Sequence, residues 1–195
     1  MEIYRCRICS ETYLGTRPTD RCPFCGVEEE YFVLTTAYEE NRDAPTLSDT
    51  EKSDVLHAIE LERSNARFYH TLGARPDNPM LASAFKRLAA IEAEHCTVFS
   101  KLAGIPKPTD LLEPVEMAEE WCDNINESLA RELRASTFYA EAAGRAISPR
   151  LAEVLLAISA VERDHIELDG VAARMVACDR PIARFKRIAD RSMLV

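Results

Sequence analysis

Two Glu-x-x-His units, Glu92-Ala93-Glu94-His95 and Glu162-Arg163-Asp164-His165, stand 70 positions apart in a chain of 195 residues. The same shift of 70 superimposes Glu62 on Glu132, Phe68-Tyr69 on Phe138-Tyr139, and Asn78-Pro79 on Ser148-Pro149. A repeat of this register constrains the fold more than any local propensity: it predicts a duplicated helical hairpin, hence four long helices. Within each unit the carboxylate and the imidazole lie one turn apart on one helix face, which is a metal-ligand spacing.

Signals at the helix ends set the arms. Ser48-Asp49-Thr50-Glu51 has the form of a capping box, and the helix it starts runs to Gly73. Asn78 caps a second helix with Pro79 at its first position, and the stripe Leu81, Ala84, Phe85, Leu88, Ile91, Val98, Leu102 carries it to Gly104. Residues 104–114, with Pro106, Pro108 and Pro114, are long enough when extended to cross the length of a bundle. The third helix is predicted over 115–146, and Ser148 caps a fourth that carries Leu151, Leu155 and Ile158 to about Cys178.

Glu62 lies 11 residues before Gly73 and Glu92 lies 13 after Pro79; Glu132 lies 14 before Ala146 and Glu162 lies 13 after Pro149. At about 1.5 Å per residue, each pair sits at one height in an antiparallel hairpin. Glu62 shares a face with Ala58, Asn65, Ala66 and Tyr69, where a carboxylate is costly unless it is paired or binds a metal. Four helices thus bring Glu62, Glu92, His95, Glu132, Glu162 and His165 to one level, the carboxylate-rich dinuclear arrangement. Carboxylates with imidazole favour two iron or manganese ions, and bridging carboxylates suit two-electron chemistry on an oxygen species. Tyr69 and Tyr139 are either core aromatics or hydrogen-bond donors to a ligating Glu. His57 and His70 read as surface residues, and Glu94 and Asp164 as pointing away from the ligands.

The first 34 residues carry Cys6-Arg7-Ile8-Cys9 and Cys22-Pro23-Phe24-Cys25, two knuckles separated by twelve residues. Four thiolates so placed surround one tetrahedral ion, and so small a segment needs the metal as its core. Spacing alone does not choose between iron and zinc. Residues 35–47, with the helix-breaking Ala44-Pro45, read as a linker, 48–180 as the bundle, and 181–195 as a basic tail, solvated or docked on the acidic bundle. Cys96, Cys122 and Cys178 read as buried small side chains.

The net charge of −9 argues against nucleic acid and anionic membranes as partners. No apolar run reaches the roughly 18 residues of a membrane span, and the first residues lack the pattern of a signal peptide, so the expectation is a cytoplasmic protein.

The run Tyr4-x-Cys6-x-x-Cys9-x-x-x-Tyr13, followed by Cys22-Pro23-x-Cys25-Gly26 and Phe32, resembles a short rubredoxin, with Ser10 where glycine is usual. With the helical ligands added, nearly the whole chain resembles the rubrerythrin family in reversed domain order. That resemblance implies an all-α, ferritin-like four-helix bundle behind an N-terminal rubredoxin-like domain. It implies a di-iron centre on the six helical ligands, and Cys6, Cys9, Cys22 and Cys25 around an iron that passes electrons to it. Hydrogen peroxide would be reduced to water with electrons from an external redox donor. It also implies a head-to-tail homodimer, in which one subunit's rubredoxin iron sits near its partner's di-iron site.

One departure bears on chemistry. Rubrerythrins carry an extra Glu three residues after the third-helix ligand, where this chain has Ala135, and Asn65 in the repeat. Three readings follow: a peroxide reductase, an oxygen-reducing or ferroxidase-like iron-handling protein, and a non-catalytic metal-binding protein with a structural zinc ribbon.

Overall fold

A computed structural model describes residues 1–39 and 45–178; the middle of the expected linker and the basic tail lie outside the described residues. Four helices follow a small sheet: α1 (Asp49–Gly73), α2 (Pro79–Ala103), α3 (Trp121–Arg145) and α4 (Pro149–Met175).

The capping box forms as its residues require. Ser48 Oγ accepts from the Glu51 N–H at 3.3 Å, and the Glu51 carboxylate accepts from the Ser48 N–H at 2.8 Å. The other Glu51 oxygen accepts from Ile147 and Ser148 N–H at 2.9 and 2.7 Å, tying the start of α1 to the turn between α3 and α4. These donors, Ser148 first, hold the Glu51 carboxyl down to about 2. Asn78 and Ser148 cap α2 and α4 through Leu81 and Leu151 N–H. Gly104 ends α2 at φ 66°, a left-handed closure that suits glycine.

The third helix starts later than the apolar pattern predicts. The backbone before it is claimed by side chains: Asn124 accepts from Ala118 N–H at 3.1 Å and donates to the Ala118 and Glu120 carbonyls at 2.8 Å each. Arg75 donates to the Glu119 carbonyl at 2.8 Å. Residues 115–120 are therefore a pinned strap.

Tyr69, near the end of α1, meets Ser128 near the start of α3, while Asp54 at the start of α1 holds Arg145 at the end of α3. The two helices are antiparallel, so the 104–120 crossover spans the bundle. It is fastened to one stripe of α1: Arg63 to Asp110 at 2.8 Å, Arg67 to the Glu113 carbonyl at 3.2 Å, and Thr71 Oγ1 to Val115 N–H at 3.1 Å. Those positions recur every four residues, one face of a helix. Each bundle end has an apolar core, one around Phe68, Leu72, Phe85, Leu88 and Trp121, the other around Val55, Ile59, Phe99, Leu155 and Ile158. The ligand level lies between them.

The N-terminal module is a three-stranded antiparallel sheet, β1 (Glu2–Cys6), β2 (Thr12–Gly15) and β3 (Phe32–Leu34), in the order β2-β1-β3 with Tyr4 opposite Tyr13 and Cys6 opposite Phe32. Ser10 closes the first knuckle at φ 69°. A side chain is strained there, and Arg5 offsets it by donating to the Ser10 carbonyl at 3.1 and 2.8 Å. The module lies on α2 and α4 of its own chain: Arg7 pairs with Glu153, Arg21 with Asp164 at 2.8 Å, and Lys101 donates to the Cys9 carbonyl at 3.3 Å.

The cysteine reading needs correction. Cys96 is buried, but Cys122 and Cys178 are joined by a disulfide, their Cα atoms 5.6 Å apart. One starts α3 and the other follows α4, so the antiparallel hairpin brings together two residues 56 apart in sequence. No helix among the described residues is long and apolar enough to cross a membrane.

Candidate metal centres

The first centre is built by the two knuckles. Cys6, Cys9, Cys22 and Cys25 are all buried, with their sulfurs mutually within 4.8 Å. Cys6 and Cys25 Sγ are 3.7 Å apart, and Cys9 and Cys22 Sγ 3.9 Å. Those separations are too long for disulfides and match the edge of a tetrahedron with bonds of about 2.3 Å. Hydrogen bonds from Cys25 and Cys6 hold the Cys22 thiol far below its usual range, while Cys9 is pushed up, chiefly by Cys22.

The second centre is the helical layer. Glu62, Glu92, His95 and Glu162 form one buried group, and Glu92, Glu132, Glu162 and His165 another, the ligand atoms within each lying inside 4.8 Å. Glu92 and Glu162 belong to both groups and would bridge two ions, while Glu62 and Glu132 belong to one each and would be terminal ligands. The structure brings together all six residues that the repeat singles out.

Contacts within the layer test whether metal fits. His95 Nδ1 lies 3.1 Å from Glu92, 3.3 Å from Glu162 and 3.6 Å from Glu62. His165 Nδ1 lies 3.0 Å from Glu162, 3.1 Å from Glu92 and 3.7 Å from Glu132. One ring nitrogen carries at most one hydrogen and cannot satisfy three carboxylates. Accordingly one oxygen of each carboxylate, Glu62 Oε2, Glu92 Oε1, Glu132 Oε2 and Glu162 Oε1, is buried without a hydrogen bond. Such a set costs free energy unless cations fill it. The residues fit a dinuclear metal site.

The titration directions agree. Burial, with Glu162 and Glu92 close by, pushes Glu62 and Glu132 well up. Burial alone would raise Glu92 as well, but the facing His165 and His95 hold it low. Both imidazoles are raised despite burial, because the carboxylates around them favour the charged form. The layer draws in positive charge from whatever source is at hand.

Tyr139 Oη donates to Glu62 at 2.5 Å and Tyr69 Oη donates to Glu132, so each tyrosine orients a terminal carboxylate. Asp164 points outward to Arg21 of the module, and His57 is exposed against the Phe138 ring. Two features went unread in the sequence. His95 Nε2 meets the Cys25 carbonyl at 2.8 Å, linking the two centres. Ser128 and Asp169, both buried, extend the hydrogen bonding behind Tyr69. Comparing the two repeats would have found the latter, since Ser128 and Asp169 stand where the first repeat has Ala58 and Phe99.

A four-helix bundle holding two metal-ligand clusters of carboxylate and imidazole, with a four-thiolate module on its flank, defines a candidate dinuclear metal-binding protein. Comparisons with known proteins narrow that class. Residues 4–33 match the family model described as the rubredoxin-like domain of rubrerythrin. The chain is 29% identical over 119 residues to a protein named Reverse rubrerythrin-1 of Clostridium acetobutylicum, a match covering 53% of this chain and 63% of that protein. No solved structure matches the sequence. Over these stretches the chain is similar to rubrerythrins of reversed domain order, with the rubredoxin-like segment ahead of the helical bundle.

Proposed function

We propose that the protein is a di-iron peroxide reductase, taking electrons from an external donor through an iron at Cys6, Cys9, Cys22 and Cys25 and reducing hydrogen peroxide to water in the bundle. The observation that carries this reading is the hydrogen bond between His95 and the Cys25 carbonyl at 2.8 Å, a direct connection between the two ligand sets.

When bound, the metals supply one-electron relay at the sulfur centre and two-electron chemistry on an oxygen–oxygen bond in the bundle. The residues do the rest. Glu92 and Glu162, common to both ligand groups, would hold the two ions side by side. The Cys25 carbonyl accepts from Nε2 and so leaves Nδ1 of His95 free to ligate. Tyr69 and Tyr139 fix Glu132 and Glu62 in place. None of the six ligands is more than 5% exposed, which excludes water and favours an acceptor as small as peroxide or oxygen.

Steady-state peroxide removal with a chemical reductant tests this. The wild type should be active, and Cys22→Ser and Glu92→Ala should each lose at least about a hundredfold, since each removes one centre. Full activity in Cys22→Ser would remove the sulfur centre from the path.

Oxygen reduction of the ferroxidase type is the second reading. It is supported by Ala135, fully buried at the position where rubrerythrins place an additional carboxylate.

A further inference from the structure

The two tyrosine–glutamate pairs are equivalent under the 70-residue repeat, but their surroundings are not. Tyr139 is stacked on Phe99, ring centroids 5.4 Å apart, and Phe99 and Ala58 offer no polar atom beyond its hydroxyl. Tyr69 has Ser128 Oγ at 3.0 Å, and Ser128 Oγ lies 2.7 Å from Asp169 Oδ1. Tyr69, Ser128 and Asp169 are each at most 1% exposed, and Asp169 Oδ2 has no hydrogen-bond partner.

Counting hydrogens fixes the state of this chain. Its three links, Asp169 to Ser128, Ser128 to Tyr69 and Tyr69 to Glu132, need three hydrogens. The two hydroxyls supply two, so one carboxyl must supply the third. Glu132 is deprotonated when it ligates a metal, which leaves Asp169. Burial pushes the Asp169 carboxyl up to about 7, against the Ser128 hydrogen bond and the charge of His165. The groups facing Asp169 are His165 on its own helix, Glu92 on α2, Ser128 on α3 and Tyr69 on α1.

We infer that Asp169, Ser128 and Tyr69 form a one-sided proton relay serving the Glu132 edge of the metal layer, with Asp169 as the buried proton store. In a transfer, the Asp169 O–H breaks and its proton passes to Ser128 Oγ. The Ser128 proton passes to Tyr69 Oη, and the phenolic proton passes to Glu132 Oε1, which gives it up to the reduced oxygen product. One proton moves, no electrons move, and each hydroxyl regains what it gave, its hydrogen bond now reversed. The relay rests on the reductive reading, because reducing peroxide to water consumes one proton per electron. The Glu62 edge has no such chain. Asp169 and Ser128 are positioning residues acting through Tyr69.

Two measurements on the full-length, iron-loaded protein test the relay. Infrared difference spectra should show the carbonyl stretch of a protonated buried carboxylic acid, lost in Asp169→Asn and shifted in Ser128→Ala. A wild-type protein without that band overturns the proton store. In single-turnover reoxidation by peroxide, Ser128→Ala at unchanged metal content should slow by about tenfold or more. An unchanged rate overturns the relay. If wild type does not react with peroxide, the peroxide reading fails, and the infrared band still decides the proton on Asp169.

Discussion

His95 Nε2 stands 2.8 Å from the backbone carbonyl of Cys25, while Nδ1 of the same ring faces Glu92, Glu162 and Glu62. One imidazole therefore touches both ligand sets of a single chain.

The approach depends on Gly26. It sits at φ 80°, and a Cβ there would lie 2.8 Å from Val161 Cγ1 on α4. Gly26→Ala should keep the sulfur centre loaded but displace it from the bundle. Reoxidation of the reduced sulfur centre should then slow by about tenfold or more. An unchanged rate in stopped-flow absorbance would contradict the proposed path.

Bridging and terminal ligands should differ in metal analysis. Glu92→Ala or Glu162→Ala removes a residue common to both groups and should abolish bundle loading, with helicity kept. Glu62→Ala or Glu132→Ala touches one group and should leave one metal bound. Retention of two metals after loss of either bridge would refute the assignment.

Metal removal should make stability fall with rising pH. His95 and His165 are raised in the folded state above the usual 6.5, so their contribution is fully present below about pH 6.5 and is lost as pH rises through the folded values. The raised Glu62 and Glu132 act in the same sense, with stability lost as pH rises past the usual 4.5 and through their folded values. The lowered Glu92 and Glu162 contribute stability already present above 4.5, which stays constant at neutral pH. The metal-free protein should lose thermal stability as pH rises through and above the usual His range of about 6.5, while the loaded protein holds it, because ligation already requires deprotonated groups. A calorimetric series shows either trend.

What could be read in the sequence was whatever repeats or caps. Glu62, Glu92, Glu132 and Glu162 were found because two helical hairpins impose one register on four positions, and α1 began where Ser48 and Glu51 said it would. The start of α3 was misplaced because Val115 and Met117 look like helix-face residues but pack from a strap held by Thr71, Arg75 and Asn124. Cys122 and Cys178 could not be paired without knowing where both helices end. The docking of the module had no periodic signal at all, since it rests on the missing side chain of Gly26 and on single partners such as Arg21 and Asp164.

The Cys122–Cys178 bridge closes a loop with a sequence separation of 56. In the chain-entropy account that length stabilises by about 4 kcal/mol. Cys122→Ser, or reductant, should lower the Tm by about 10 °C, with both metal centres still loaded. A Tm indifferent to reductant would show that the bond contributes nothing.

The most direct measurement is anaerobic. The purified protein is reduced, stoichiometric peroxide or oxygen is added, and the thiolate-to-iron colour of the Cys6, Cys9, Cys22 and Cys25 centre is followed. Fast return of colour with peroxide and slow return with oxygen is the predicted result, since it shows the two centres coupled and peroxide as the acceptor. A protein without that colour, carrying zinc on its four cysteines, would contradict the account.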